Sequence, residues 1–125
     1  MKVNRNEFLF SISFALDFLE MGIRDNITNH NKRVSLISIR IGRELGLDDE
    51  SIFDLAAYAM LHDNGLTHKT FNAISENGVE RLERSLSHCL IGEKNLSTFP
   101  FIKNRKNIIK YHHERYDGLG YFGIA

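Results

Sequence analysis

Apolar side chains recur along this chain at helical spacing. In residues 5–23 they fall at Phe8, Ile12, Ala15 and Leu19, with Phe14 and Phe18 widening the stripe, which predicts an amphipathic helix. A second predicted helix carries Val34, Ile37, Ile41 and Leu45, with Thr28 or Asn29 as N-cap and Gly46 as C-terminal stop. Asp48 and Asp49 offer the N-cap of a third, with Glu50 in its first turn, where negative charge is favoured. Its buried face is Ile52, Leu55, Ala56, Ala59 and Met60, and it is expected to end at His62 and Asp63. Residues 64–79 show no period and read as a loop. A fourth helix over 80–96 is expected to bury Leu82, Leu86, Cys89 and Leu90. Pro100 opens a fifth, carrying Ile102, Ile108 and Ile109 up to His112 and His113, and a glycine-rich loop follows. Strand-like alternation never exceeds three or four residues, so the expected fold is all-α: one domain over 1–125, a bundle of about five helices.

Composition narrows the partners. The 16 basic and 16 acidic residues cancel, which argues against a nucleic-acid polymer while leaving room for a small anionic ligand. With Cys89 the single cysteine, no internal disulfide can form. Glu7, Asp17 and Glu20 interrupt the apolar N-terminal stretch and no cleavage pattern follows, so it reads as a core helix rather than a signal peptide. No run reaches the length of a membrane span, and a cytoplasmic location is expected.

The chemistry lies in the histidines. His62-Asp63 and His112-His113 are each predicted at a helix C-terminus, where free carbonyls favour a cation. Neutral imidazole and carboxylate suit Zn, Mn or Fe, and a carboxylate can bridge two ions. His88 sits mid-helix in "SHCLIG" with Ser85 and Gly92 leaving room on its face, and His30 opens the second helix in "NHNKRV". His30, His62, Asp63, His88, His112 and His113 are thus six candidate ligands on four helices, a set that a helical bundle can converge. A lone histidine at a helix end ordinarily serves as a cap, whereas two adjacent pairs and a fifth imidazole in a small-residue niche point jointly to metal. Cys89 is expected to face the apolar side as a structural thiol. His68 is expected in solvent, and Lys103, Arg105, Lys106 and Lys110 on a solvated helix face.

The order "HNKRV", "LGL", "LHDNG", "HCLIG", "HHERYDGLGYF" resembles the HD-GYP group of the HD-domain phosphohydrolases over residues 24–123. That resemblance implies a helical bundle holding two divalent transition metal ions, Fe or Mn first and Zn also accepted. It implies hydrolysis of cyclic di-GMP or a related cyclic dinucleotide in bacterial signalling. His30 and His62 would bind one metal, and His88, His112 and His113 the other. Asp63 would lie between them, with His62 and Asp63 at the reacting centre. Arg115, Gly120 and Tyr121 would shape the ligand side.

The chain departs from the family pattern at three positions. Leu66 stands where active members carry a phosphate-contacting lysine in HD-x-G-K, and Phe122 replaces the proline of GYP. Asn26 replaces an acidic residue found with a third metal, which favours two ions. The family pattern also continues beyond Ala125, so the chain is expected to lack the last helices, with their further carboxylate, and to self-associate through the apolar face they would cover. A second reading therefore stands beside the enzyme: a degenerate HD module that binds a nucleotide or a protein partner without turnover.

Overall fold

The structure is a computed structural model describing residues 4–24, 29–66 and 79–124, without the side chains of 22–24 and 79–85. Thr28, Asn26, His68, Leu82 and Ser85 fall outside that description. The described residues form four helices and no strand: α1 Arg5–Arg24, α2 His30–Glu44, α3 Asp49–Met60 and α4 Val79–Leu96. The all-α expectation holds. The chain divides into two compact units, one of residues 1–61 with 100–103, the other of 62–99 with 104–125.

In the first unit, α1, α2 and α3 pack on one another, but not through the expected stripes. The buried face of α1 is Leu9, Ser13, Asp17 and Glu20, while Phe14, Phe18 and Leu19 are exposed. Asp17 explains the rotation. One of its carboxylate oxygens accepts from Asn31 Nδ2 at 3.4 Å, and the other pairs with Lys32 Nζ at 2.8 Å, which ties α1 to the first turn of α2. On α2 the buried residues are Asn31, Ser35 and Gly42, leaving Ile37, Ile41 and Leu45 exposed. Small side chains let α2 and α3 approach closely: Ser35 Oγ donates to the Ala56 carbonyl at 3.0 Å, and a Cβ at Gly42 would lie 2.7 Å from Ile52 Cδ1.

Local signals fared better than face assignment. Asp48 Oδ1 accepts from Ser51 N at 2.7 Å, the N-cap bond expected of it. Gly46 takes φ 71° after α2, the left-handed stop that glycine adopts without a Cβ penalty. Asn29 is the N-cap of α2, though its side chain makes no capping bond. On α3, Ala57, Tyr58 and Met60 are buried, and the expected Ile52, Leu55, Ala56 and Ala59 are half-buried. Asp54 Oδ1 accepts from Lys103 N, and Tyr58 donates its hydroxyl to the Lys103 carbonyl, which holds segment 100–103 in this unit.

In the second unit, α4 occupies the expected residues and buries Leu86, Cys89 and Leu96, with Leu90 half exposed. The fifth helix does not form. Residues 105–113 are loop and consecutive turns, Asn107 has φ 72°, and Ile109 is buried while Ile108 is exposed. The reason is a competing acceptor: the Glu93 carboxylate takes the backbone N–H groups of Asn107, Ile109 and Lys110. Those donors are therefore not spent on a helical ladder, and the basic group lies on no helix face. Lys103 pairs instead with Glu50 at 3.2 Å, and Lys110 Nζ lies over the Tyr111 and Phe122 rings. Among the described residues no helix is long and apolar enough to cross a membrane.

Candidate metal centre

Helix α3 stops at Met60 with Leu61 as its C-cap, before the expected end at His62 and Asp63, so those two residues sit in the turn 61–65. Freed from helical geometry, that turn lies directly on α4. A Cβ at Gly65 would overlap the His88 carbonyl oxygen and come within 2.6 Å of the Gly92 nitrogen. Glycine at 65 therefore permits a backbone-on-backbone contact that any side chain would block. Asn64 adds to the seam, donating Nδ2 to the Gly92 carbonyl at 3.4 Å and accepting from Asn95 Nδ2 at 2.9 Å.

This docking sets the Asp63 carboxylate among imidazoles. Asp63 Oδ2 lies 3.3 Å from His62 Nε2. Asp63 Oδ1 lies 3.4 Å from His88 Nε2 and 3.7 Å from His112 Nε2. The two oxygens thus face different histidines, as a bridging carboxylate would. His88 Nε2 and His112 Nε2 are 3.4 Å apart, and the His113 ring stacks at a tilt on that of His112, centroids 4.1 Å apart.

The cluster is strongly coupled. Burial pushes the Asp63 carboxyl up, but hydrogen bonds from His112, His62 and His88 outweigh it and hold the group well below the usual carboxylate range. Burial lowers His112, yet its bonds to Asp63 and Cys89 raise it to about 9. Burial and the charges of His112 and His88 bring His113 down to about 4. Burial raises the Cys89 thiol, whereas hydrogen bonds with His112 and His88 bring it down to about 7.

The donor set fits divalent metal. A carbonyl oxygen can only accept, so the 2.6 Å contact between His112 Nδ1 and the Ile109 carbonyl assigns the proton to Nδ1. That leaves Nε2, which faces Asp63 and His88, as the free donor atom, the orientation that partners beyond the ligands give metal-binding histidines. Ligand atoms of His88, Cys89, His112 and His113 all lie within 4.8 Å of one another.

Five of the six sequence-expected ligands, His62, Asp63, His88, His112 and His113, are thus gathered in the second unit. His30 is the first residue of α2 and half-buried in the first unit. Arg115, Gly120 and Tyr121 lie in the loop and turns that follow. Arg115 Nε donates to Asp117 Oδ1 at 3.1 Å and its guanidinium pairs with the same carboxylate, so an exposed local pair engages it. Gly120 sits against Glu114, where a Cβ would lie 2.6 Å from Oε2, and Tyr121 packs edge-on to Phe122.

Three roles escaped sequence reasoning. Cys89 is buried as expected, but its Sγ also lies 3.6 Å from His88 Nε2, beside the imidazoles. Glu93 tethers the segment leading to His112. Glu114 braces the glycine-rich loop by accepting from Phe122 N at 2.7 Å and Ile124 N at 3.2 Å. Cys89 alone carried a signal, its place beside His88; the two glutamates act through distant backbone groups, which no local pattern marks.

Residues 19–124 match the family model described as HD domain. The chain is 32% identical over 121 residues to a cyclic di-GMP phosphodiesterase of Thermotoga maritima, covering 92% of this chain and 33% of that protein. It is 28% identical over 124 residues to the 3'3'-cGAMP-specific phosphodiesterase 1 of Vibrio cholerae, covering 98% of this chain and 27% of that one. The chain therefore spans about a third of the length of either relative or less. No solved structure matches. An all-α chain that sets a His-Asp pair against three further imidazoles, and matches the family model over most of its length, belongs to the HD domain family of metal-dependent proteins.

Proposed function

We propose that this chain carries the metal centre of a phosphodiesterase of the HD-GYP subgroup, hydrolysing cyclic di-GMP or a related cyclic dinucleotide. The observation that carries the reading is the Asp63 carboxylate, which turns one oxygen to His62 and the other to His88 and His112. In this reading His62 on one side and His88, His112 and His113 on the other would hold divalent transition ions, with Asp63 placed to serve both sides. His30 joins the His62 side, as the sequence resemblance implies. Bound divalent ions supply Lewis acidity toward phosphoryl oxygens and lower the pKa of a coordinated water.

The chain's own residues prepare that chemistry. Asp63 stays ionised across the physiological range and balances cationic charge. The Ile109 carbonyl orients His112, and His112 must yield a proton before it can ligate, because metal binding and protonation compete for Nε2. His113, brought down to about 4, already offers a neutral imidazole. The turns over 114–122 are the proposed ligand side, held by Glu114.

The test is metal content per chain on protein purified without oxygen or chelator, followed by turnover of cyclic di-GMP and 3'3'-cGAMP. About two ions per chain are expected, with both lost in Asp63→Ala because the bridge is shared. A variant that kept its metal would overturn the bridging assignment. Leu66, in place of the lysine of active members, favours the alternative of a non-catalytic HD module, and dinucleotide binding without product would select it.

A further inference from the structure

The side chain beside the histidines that no part of the proposed mechanism uses is Cys89. It is fully buried, yet buried against polar atoms: its Sγ lies 3.6 Å from His88 Nε2. Neighbouring side chains on a helix leave the axis about 100° apart. The imidazole of His88 is long enough that its Nε2 nevertheless comes beside the short Cys89 side chain. Sγ and ligand nitrogens of His88, His112 and His113 form one group within 4.8 Å.

We propose that Cys89 is a ligand, and that its thiolate with His88, His112 and His113 makes a mixed nitrogen and sulfur site for a divalent cation. The inference rests on the metal reading of this cluster and specifies the donor set on one side of it. The spacings support it. With metal–nitrogen bonds of about 2.0–2.1 Å and metal–sulfur bonds of about 2.3 Å, neighbouring donors at near-tetrahedral angles lie about 3.4 Å apart for N···N and about 3.5 Å for N···S. The structure has 3.4 Å between His88 Nε2 and His112 Nε2, and 3.6 Å between His88 Nε2 and Cys89 Sγ. A thiol serving only as a small core residue has no need of an imidazole nitrogen at that distance.

The thiolate changes the preference of the site. Imidazole and carboxylate accept Fe, Mn and Zn, whereas sulfur favours softer ions. The side of the cluster that holds Cys89 should therefore take zinc in preference to manganese, and a thiolate ligand gives it one more negative charge than histidines alone.

Cobalt(II) reports the sulfur directly, through a sulfur-to-cobalt charge-transfer band in the near ultraviolet. The full chain, stripped of metal and kept anaerobic, is titrated with cobalt and its spectrum followed. The expected result is a charge-transfer band growing with the bound cobalt. In Cys89→Ser that band disappears while the visible ligand-field bands remain, and zinc affinity falls by more than the roughly 10–100-fold that loss of a mere outer partner costs. Wild-type protein that binds cobalt without the band overturns Cys89 ligation and leaves the metal centre standing. Wild-type protein that binds no cobalt overturns both readings. The wild-type spectrum alone decides, so the test does not depend on the variant folding.

Discussion

Removing the Glu93 carboxylate should loosen the metal centre from a distance. Glu93 leaves α4 five residues after His88 and accepts three backbone N–H groups, those of Asn107, Ile109 and Lys110. The segment they belong to leads directly into His112 and His113. In Glu93→Ala, water can reach the exposed Asn107 donor, but the Ile109 and Lys110 donors are partly buried. A buried donor left without its acceptor costs about 1–3 kcal/mol, and bonds to a charged acceptor lie at the upper end, so the expected loss is roughly 3–5 kcal/mol. That is a large share of the roughly 5–15 kcal/mol by which domains are stable. At about 4 °C per kcal/mol for a chain of this size, the melting temperature should fall by about 12–20 °C. Glu93→Gln keeps one acceptor oxygen and should lie between. The assay is thermal unfolding of the metal-free protein, paired with zinc titration of each variant. A Glu93→Ala protein within about 1 kcal/mol of wild type, with unchanged zinc affinity, would refute the tether, since the cost assigned to even one stranded donor would then be absent.

Glycine-to-alanine substitutions should separate two kinds of close contact. Gly65→Ala drives a methyl into the backbone of α4 and should cost at least the roughly 1–3 kcal/mol of overpacking together with metal uptake, whereas Gly42→Ala meets the flexible ends of Leu47, Ile52 and Leu55 and gains helix propensity, leaving metal uptake intact; equal effects on metal uptake would contradict the docking described. The pH dependence of the metal-free protein has a defined sign. His113, lowered from 6.5 to about 4, binds fewer protons folded than unfolded across that interval, so stability rises with pH there; His112, raised from 6.5 to about 9, contributes stability that is full below about 6.5 and lost as pH rises through 9. Cys89, lowered from 9.0 to about 7, opposes His112 between 7 and 9, because there it binds fewer protons folded than unfolded. Urea midpoints should therefore rise from pH 4 to about 6.5 and change little from 7 to 9, and a profile flat from 4 to 6.5 would show that His113 does not sense the neighbouring imidazoles as described. Glu114→Ala should leave the amides of Phe122 and Ile124 without their acceptor, seen as faster hydrogen exchange at those two residues with zinc affinity unchanged; unaltered exchange would remove Glu114 as the brace of the loop.

The chemistry was more legible than the packing. His62, Asp63, His88, His112 and His113 could be selected from sequence because metal binding depends on residue type and on a few local spacings, and the structure gathers them in one unit. The caps at Asp48 and Gly46 were legible for the same reason, each being a local bond or a local dihedral angle. Faces were not. Periodicity locates an apolar stripe on α1 at Phe14 and Phe18, but which face is covered depends on Asp17 meeting Asn31 and Lys32, two residues that belong to another helix. The missing fifth helix is a stronger case, since the isoleucine spacing there is sound and is overridden by an acceptor 14 residues away. Cys89 was legible as a buried thiol but not as a neighbour of an imidazole nitrogen, because helical geometry fixes the direction in which a side chain leaves the axis, not how far an imidazole reaches back around it. These misses meet on α4. Within six residues it supplies the His88 imidazole and the Cys89 thiol, the Gly92 seat on which the Gly65 turn rests, and the Glu93 carboxylate that holds the approach to His112. Ligand, thiol, seat and tether share less than two turns of helix, so substitutions among them should couple. Gly65→Ala and Glu93→Ala, which act on opposite partners of α4, should together cost less metal affinity than the sum of their separate losses, because either one alone already displaces a ligand from the same cluster.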